Sequence, residues 1–190
     1  MFIQTEPTPN PLTLKFLPGR VVMKEGTFFS QNIDESKNSP LAKRLFSIEG
    51  VVGVFFGSDF ITITKEENID WQILKPNILG AITDHYNSGD KIIINEKEFT
   101  ESKNTKNKFN KEENEIVHQI KEILDSRVRP AVAMDGGDIV FQNYEDGIVY
   151  LHMQGACSGC PSSTATLKIG IENMLKHYIP EIKEVRPIEA

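Results

Sequence analysis

The stretch Glu101-Ser102-Lys103-Asn104-Thr105-Lys106-Asn107-Lys108-Phe109-Asn110-Lys111 decides how the rest of the chain is read. It is rich in Lys and Asn and nearly devoid of apolar side chains. Such a segment cannot bury enough surface to offset its ordering entropy, so it is expected to be a flexible linker. A solvated tether is favoured over a lysine patch for an acidic partner. It divides the 190 residues into an N-terminal domain at 1–100, a linker at 101–111 and a C-terminal domain at 112–190.

Upstream, Thr13-Leu14-Lys15-Phe16-Leu17 alternates like a strand, and Pro18-Gly19 follows as a turn. Residues 20–23 are expected to return as the second arm of that hairpin. Pro40 at the first position of a helix over 40–46, with Ser39 before it, is an N-terminal capping signal. The β-branched and aromatic runs 50–56 and 60–64 flank Gly57-Ser58-Asp59 and predict a second hairpin. Asp70 is placed to cap a helix over 71–86, with Ile78, Ala81, Ile82 and Tyr86 near helical spacing. Ile92-Ile93-Ile94 suggests one more strand. The order of elements implies an antiparallel sheet covered on one face, an α+β domain.

Downstream, Ile116, Ile120, Ile123 and Leu124 form an apolar stripe, predicting a helix over 112–128 that Pro130 interrupts. Met134-Asp135-Gly136-Gly137-Asp138 is expected to turn. Strands at 139–142 and 148–153 then flank Glu145-Asp146-Gly147, a hairpin signal. A final helix carries Leu167, Ile171, Met174, Leu175 and Tyr178 on one face until Pro180, and 182–185 reads as a last strand. The fold class is therefore α+β: two small two-layer domains with mainly antiparallel sheets.

Composition narrows the function. Hydrophobic residues make up 39% and charged residues 25%, ordinary globular values that exclude wholesale disorder. The formal charge of −6 argues against a broad phosphate-binding surface, so nucleic acid is not an expected partner. No apolar run is long enough to span a bilayer, and no basic n-region with an apolar stretch marks a secretory signal. Neither a membrane nor an oxidising compartment is expected. The chain has two cysteines, both in Cys157-Ser158-Gly159-Cys160. A single chain therefore cannot build a four-cysteine metal site.

The run Gly155-Ala156-Cys157-Ser158-Gly159-Cys160-Pro161-Ser162-Ser163-Thr164 joins a strand end to a helix start. Both sulfurs would lie beside the positive end of a helix dipole, which favours thiolate. Four readings compete. Simple packing of two thiols is disfavoured, because free cysteines prefer burial whereas this loop is polar and glycine-bearing. A thiol–disulfide oxidoreductase fits the motif but not its place near the chain end. Zinc needs four ligands, and His118, His152 and His177 stand at no short ligand spacing from the cysteines, so a zinc-bridged dimer is a further alternative. An iron–sulfur cluster shared by two copies of the loop completes four thiolates without any other residue.

Met134-Asp135-Gly136-Gly137-Asp138-Ile139 and the run from Leu151 through Lys168 resemble the NifU-like C-terminal domain. Phe2-Ile3-Gln4-Thr5-Glu6, Pro9-Asn10-Pro11, Leu14-Lys15-Phe16-Leu17-Pro18-Gly19 and Gly53-Val54-Phe55-Phe56-Gly57-Ser58-Asp59-Phe60-Ile61 resemble the N-terminal domain of Nfu-type proteins. The resemblance implies a non-enzymatic iron–sulfur cluster scaffold or carrier. In it a [4Fe-4S] cluster, with [2Fe-2S] as the other form, bridges a homodimer through Cys157 and Cys160. Its partners would be apo iron–sulfur client proteins and upstream assembly proteins. Asp135 and Asp138 belong to the family pattern and are read as turn and cap residues. Glu6, Asp59 and Asp84 form no interpretable set and are read as surface groups. The N-terminal domain is expected to recognise clients or assembly partners. The family motif begins at Phe2, which favours a bacterial cytoplasm, or the mitochondrial matrix for a processed eukaryotic form.

Overall fold

Local signals become elements largely where the residues demand them. The computed structural model describes residues 2–94, 111–159 and 161–188. The chain divides into two compact units within the stretch 95–110. The expected linker lies outside the described residues up to 110, and Lys111 already opens a helix.

The first unit carries β1 (Gln4–Pro7), β2 (Thr13–Leu17), β3 (Phe28–Ser30), a 3-10 turn (Ile33–Ser36), α1 (Pro40–Phe46), β4 (Val51–Phe56), β5 (Ile61–Lys65) and α2 (Trp71–Ser88). Its sheet runs β1-β2-β5-β4-β3, antiparallel throughout. Phe16, Phe28, Val54, Phe56, Ile61 and Ile63 point from the sheet into a core closed by Leu41, Ala42 and Leu45 of α1 and Leu74, Ile78 and Ile82 of α2. Both predicted helix caps are made: Ser39 Oγ accepts the Ala42 N–H at 3.1 Å, and Asp70 Oδ1 accepts the Gln72 N–H at 2.9 Å. The hairpin around Gly57-Ser58-Asp59 is also formed.

Two expectations fail here. Residues 20–23 make no strand. The Val22 and Met23 N–H groups both donate to the single carbonyl of Ser58, at 2.7 and 3.2 Å, which anchors a loop and builds no ladder. β2 instead pairs with β1, which begins before the strongly apolar residues, and with β5. Ile92-Ile93-Ile94 is likewise no strand. Ile93 is buried, the Ile94 N–H donates to Asn38 O at 2.8 Å, and Ser39 Oγ donates to Ile92 O at 2.7 Å, so the segment docks on the start of α1.

The second unit carries α3 (Lys111–Ile123), a π turn (Leu124–Val128), α4 (Arg129–Met134), β6 (Gly137–Glu145), β7 (Ile148–Gly155), α5 (Pro161–Tyr178) and β8 (Glu184–Ile188). Its sheet runs β6-β7-β8. β6 and β7 are antiparallel, whereas β8 returns parallel to β7 after the crossover through α5. Asp146 and Gly147 both have positive φ, 51° and 85°, the conformation of a two-residue hairpin turn. Ile120, Leu124, Val128 and Val132 pack with Ile171 and Leu175 of α5 over Ile139, Val149, Leu151, Met153 and Val185 of the sheet.

Pro130 does not interrupt the helix as expected. The π turn shifts the hydrogen-bond register just ahead of it, so the missing N–H falls where bonding is already rearranged and helix resumes as α4. The expected turn at 134–138 shortens to Asp135-Gly136, because Gly137 already belongs to β6. Tyr178, expected on the core face of α5, is 46% exposed and its ring faces the Arg127 guanidinium at 5.0 Å.

Candidate metal centre

The turn from β7 into α5 is made by glycine geometry. Gly155 and Gly159 have φ of 62° and 75°, a region that side chains resist, and they bracket Cys157. The Ala156 N–H donates to Gly136 O at 3.2 Å, which ties the loop to the start of β6. The Cys157 N–H donates to Gln154 O at 3.3 Å, and Thr164 Oγ1 in α5 donates back to Cys157 O at 3.3 Å.

Cys157 is a free thiol, 6% exposed, and its side chain joins the apolar core of the second unit. Burial, then the carboxylates of Asp135 and Asp138, push the thiol up to about 12. Burial thus opposes the thiolate that a helix dipole would favour at this sulfur. The loop is also not polar throughout. Burial, whose supposed absence counted against simple packing, applies to Cys157. Cys160, the second predicted ligand, lies outside the described residues.

Asp135 follows α4 as its C-terminal capping residue. Asp138 is neither turn nor cap. Its carboxylate, 4% exposed as a residue, accepts from Arg129 Nε at 2.7 Å and Arg129 Nη2 at 2.8 Å, and Oδ1 also accepts the Ile139 N–H at 2.8 Å. Arg129 Nη1 reaches Asp125 at 2.8 Å. The hydrogen bond with Asp138 is the chief cause holding Arg129 above its ordinary value. Arg129 did not stand out in the sequence, and Gly137 figured there only within the expected turn and the family motif, not as a neighbour of Cys157. Arg129 and Asp138 are nine residues apart across a helix, a turn and a strand start, and no short motif announces such a pair. Gly137 lies directly against Cys157, and a Cβ there would stand 2.5 Å from Sγ, 2.7 Å from Gln154 O and 3.0 Å from Cys157 N.

The other candidates are not brought to this site. His118 and His177 are exposed, and His177 meets the Tyr178 ring edge-on. His152 is half-buried on β7, with Nδ1 3.3 Å from Gln154 Nε2, and burial lowers its pKa. Glu6 pairs with Lys15 at 3.7 Å, Asp59 accepts from Ser58 Oγ at 3.1 Å, and Asp84 is exposed. Among the described residues, no group of three or more His, Cys, Asp or Glu side chains is gathered to hold a metal ion. No described helix is long and apolar enough to cross a membrane.

Residues 3–89 match the family model described as scaffold protein Nfu/NifU N terminal, and residues 120–186 match the NifU-like domain. The chain is 51% identical over 187 residues to "NifU-like protein 4, mitochondrial" of Arabidopsis thaliana, covering 97% of this chain and 65% of that protein. It is 49% identical over 189 residues to "NFU1 iron-sulfur cluster scaffold homolog, mitochondrial" of Homo sapiens, covering 99% of this chain and 72% of that one. The solution structure of a NifU-like protein from Saccharomyces cerevisiae is 31% identical, with a TM-score of 0.46 over 50% of this chain and 87% of that chain. The chain thus spans about two thirds of the length of the curated relatives it matches. With both domain models matched in order along one chain, it belongs to the Nfu-type, NifU-like family.

Proposed function

We propose that this protein is a non-enzymatic iron–sulfur cluster scaffold and carrier. Cys157 and Cys160 from each of two copies hold one [4Fe-4S] cluster, which passes to apo client proteins by ligand exchange. The observation that carries the reading is the Cys157-Ser158-Gly159-Cys160 run at the strand-to-helix turn of a NifU-like domain. Two cysteines supply half of a four-thiolate set, and a two-fold dimer supplies the rest. The human relative is named as an iron–sulfur cluster scaffold homolog, which supports the same cargo. The proposed domains are 1–100 and 112–190, with the tether between them ending where α3 opens at Lys111, and the first domain is the recognition element for clients or upstream assembly proteins. The relatives named above are mitochondrial, which gives no support to a bacterial cytoplasm, and the mitochondrial matrix is the compartment we propose.

Anaerobic reconstitution with iron and sulfide, followed by metal analysis and size exclusion, tests the reading. About two irons per chain in a dimer are expected from one four-iron cluster per two chains. A monomer that cycles between dithiol and disulfide and binds no iron refutes it in favour of an oxidoreductase. Zinc without sulfide in the dimer refutes it in favour of a zinc bridge. Cys157→Ala and Cys160→Ala should each abolish cluster binding and leave both domains folded. Transfer to an apo target should slow when residues before the linker are removed; equal rates would remove the recognition role.

A further inference from the structure

A ligand to a cluster shared between two chains has to present its sulfur outside the core of its own chain. Cys157 does not, since its side chain is 6% exposed and packed among the residues of the second unit's core. The space it occupies exists because residue 137 has no side chain: a Cβ there would clash with Sγ at 2.5 Å and with the backbone oxygen of Gln154 at 2.7 Å. Ordinary Cβ contacts begin near 3.4 Å, so both the sulfur and the turn would have to move. The bonds that tie the turn to the rest of the unit are long: Ala156 N–H to Gly136 O at 3.2 Å and Thr164 Oγ1 to Cys157 O at 3.3 Å. Positive-φ glycines stand on both sides of Cys157, and its N–H is held by a long 3.3 Å bond to Gln154 O.

We infer that Gly137 is a positioning residue for Cys157, the floor of a socket that stores this thiol inside the cluster-free chain, and that the turn 155–159 must swing the sulfur out before it can bind iron. The inference rests on the proposed role of Cys157 as a ligand. Socket and cluster compete for the same sulfur. Filling the socket therefore exposes the thiol and speeds uptake, whereas a glycine needed only for folding would, when replaced, slow uptake.

The test uses the full chain carrying Cys160→Ser, so that only Cys157 reacts, and measures its alkylation by iodoacetamide at fixed pH. Cys157 in this chain should react about a hundredfold more slowly than in the same chain unfolded in denaturant. Adding Gly137→Ala should raise the native rate about tenfold with unchanged circular dichroism. Gly170→Ala, at a helical position with nothing within 4 Å of its would-be Cβ, should leave it unchanged. In the chain with both cysteines, Gly137→Ala should take up cluster faster than the parent. Native alkylation of Cys157 at the unfolded rate overturns the socket. A folded Gly137→Ala chain that alkylates at the parental rate, or loads cluster more slowly, also overturns it. Should Gly137→Ala fail to fold, the Cys160→Ser chain alone decides, by protection or its absence. If no chain takes up cluster, the proposed function fails, while alkylation still reports on the socket.

Discussion

Replacing Arg129 by Met should destabilise the second unit selectively. In the parent, the guanidinium forks onto the Asp138 carboxylate through two charge-assisted bonds of 2.7 and 2.8 Å. The two side chains are unequally buried, 29% exposed for Arg129 and 5% for Asp138. Removing the exposed partner therefore leaves the burden on the buried one, which keeps its 2.8 Å bond from the Ile139 N–H. Breaking a buried ion pair from one side costs about 3–5 kcal/mol, and that remaining bond with the partial exposure of Arg129 places this case near the lower end, about 3 kcal/mol. For a domain of this size each kcal/mol moves the melting point by about 4–8 °C, so a fall of about 12–24 °C is expected. Trp71 is the only Trp of the chain and packs in the first unit, where its Nε1–H donates to Pro11 O at 3.2 Å. Its fluorescence thus reports the first unit while far-UV circular dichroism reports both. Arg129→Met should move the dichroism transition and leave the Trp71 transition in place. Asp138→Asn should cost less, since Arg129 can turn to water and Asp125, and adding it to Arg129→Met should recover stability. An Arg129→Met chain melting within about 2 °C of the parent, or no recovery in the double variant, would refute the reasoning.

Ser39→Ala removes both the cap on the Ala42 N–H and the tie to Ile92 O, and should lower the stability of the first unit by about 1–2 kcal/mol, read from Trp71 fluorescence in urea. Gly147→Ala forces a side chain into φ 85° with its Cβ 2.8 Å from Glu181 O, so a loss of at least about 1 kcal/mol in the second unit is expected by dichroism melts. His85 is fully buried, neither ring nitrogen has a hydrogen-bond partner among the described residues, and burial and then Arg44 lower its pKa from 6.5. A depressed folded value means that its contribution is present above about pH 6.5 and is lost as pH falls toward and through the folded value. The Trp71 transition should therefore drop from pH 7 to pH 5, and His85→Gln should flatten that dependence; an equal drop in both chains would exclude His85 as the cause.

The elements that could be read in advance are those with local causes. Ser39 and Asp70 cap their helices through bonds two or three residues away, and the β4–β5 and β6–β7 hairpins are set by their turn residues. β1 was not legible because Gln4–Pro7 is polar and becomes a strand only by pairing with β2. Residues 20–23 have strand composition, but the Ser58 carbonyl captures the Val22 and Met23 N–H groups from across the fold. The parallel register of β8 depends on where α5 delivers the chain, and Pro130 is tolerated only through the π turn before it.

At the candidate centre the same division holds. The sequence by itself determined that two cysteines flank Ser158-Gly159, that they sit between a strand and a helix, and that one chain cannot complete a four-thiolate site. Tertiary structure alone decided that Cys157 lies in the core against Gly137, beside a carboxylate clasped by Arg129. Burial and close approach depend on residues remote in sequence, such as Gly137, 20 positions before Cys157, so no short spacing along the chain encodes them.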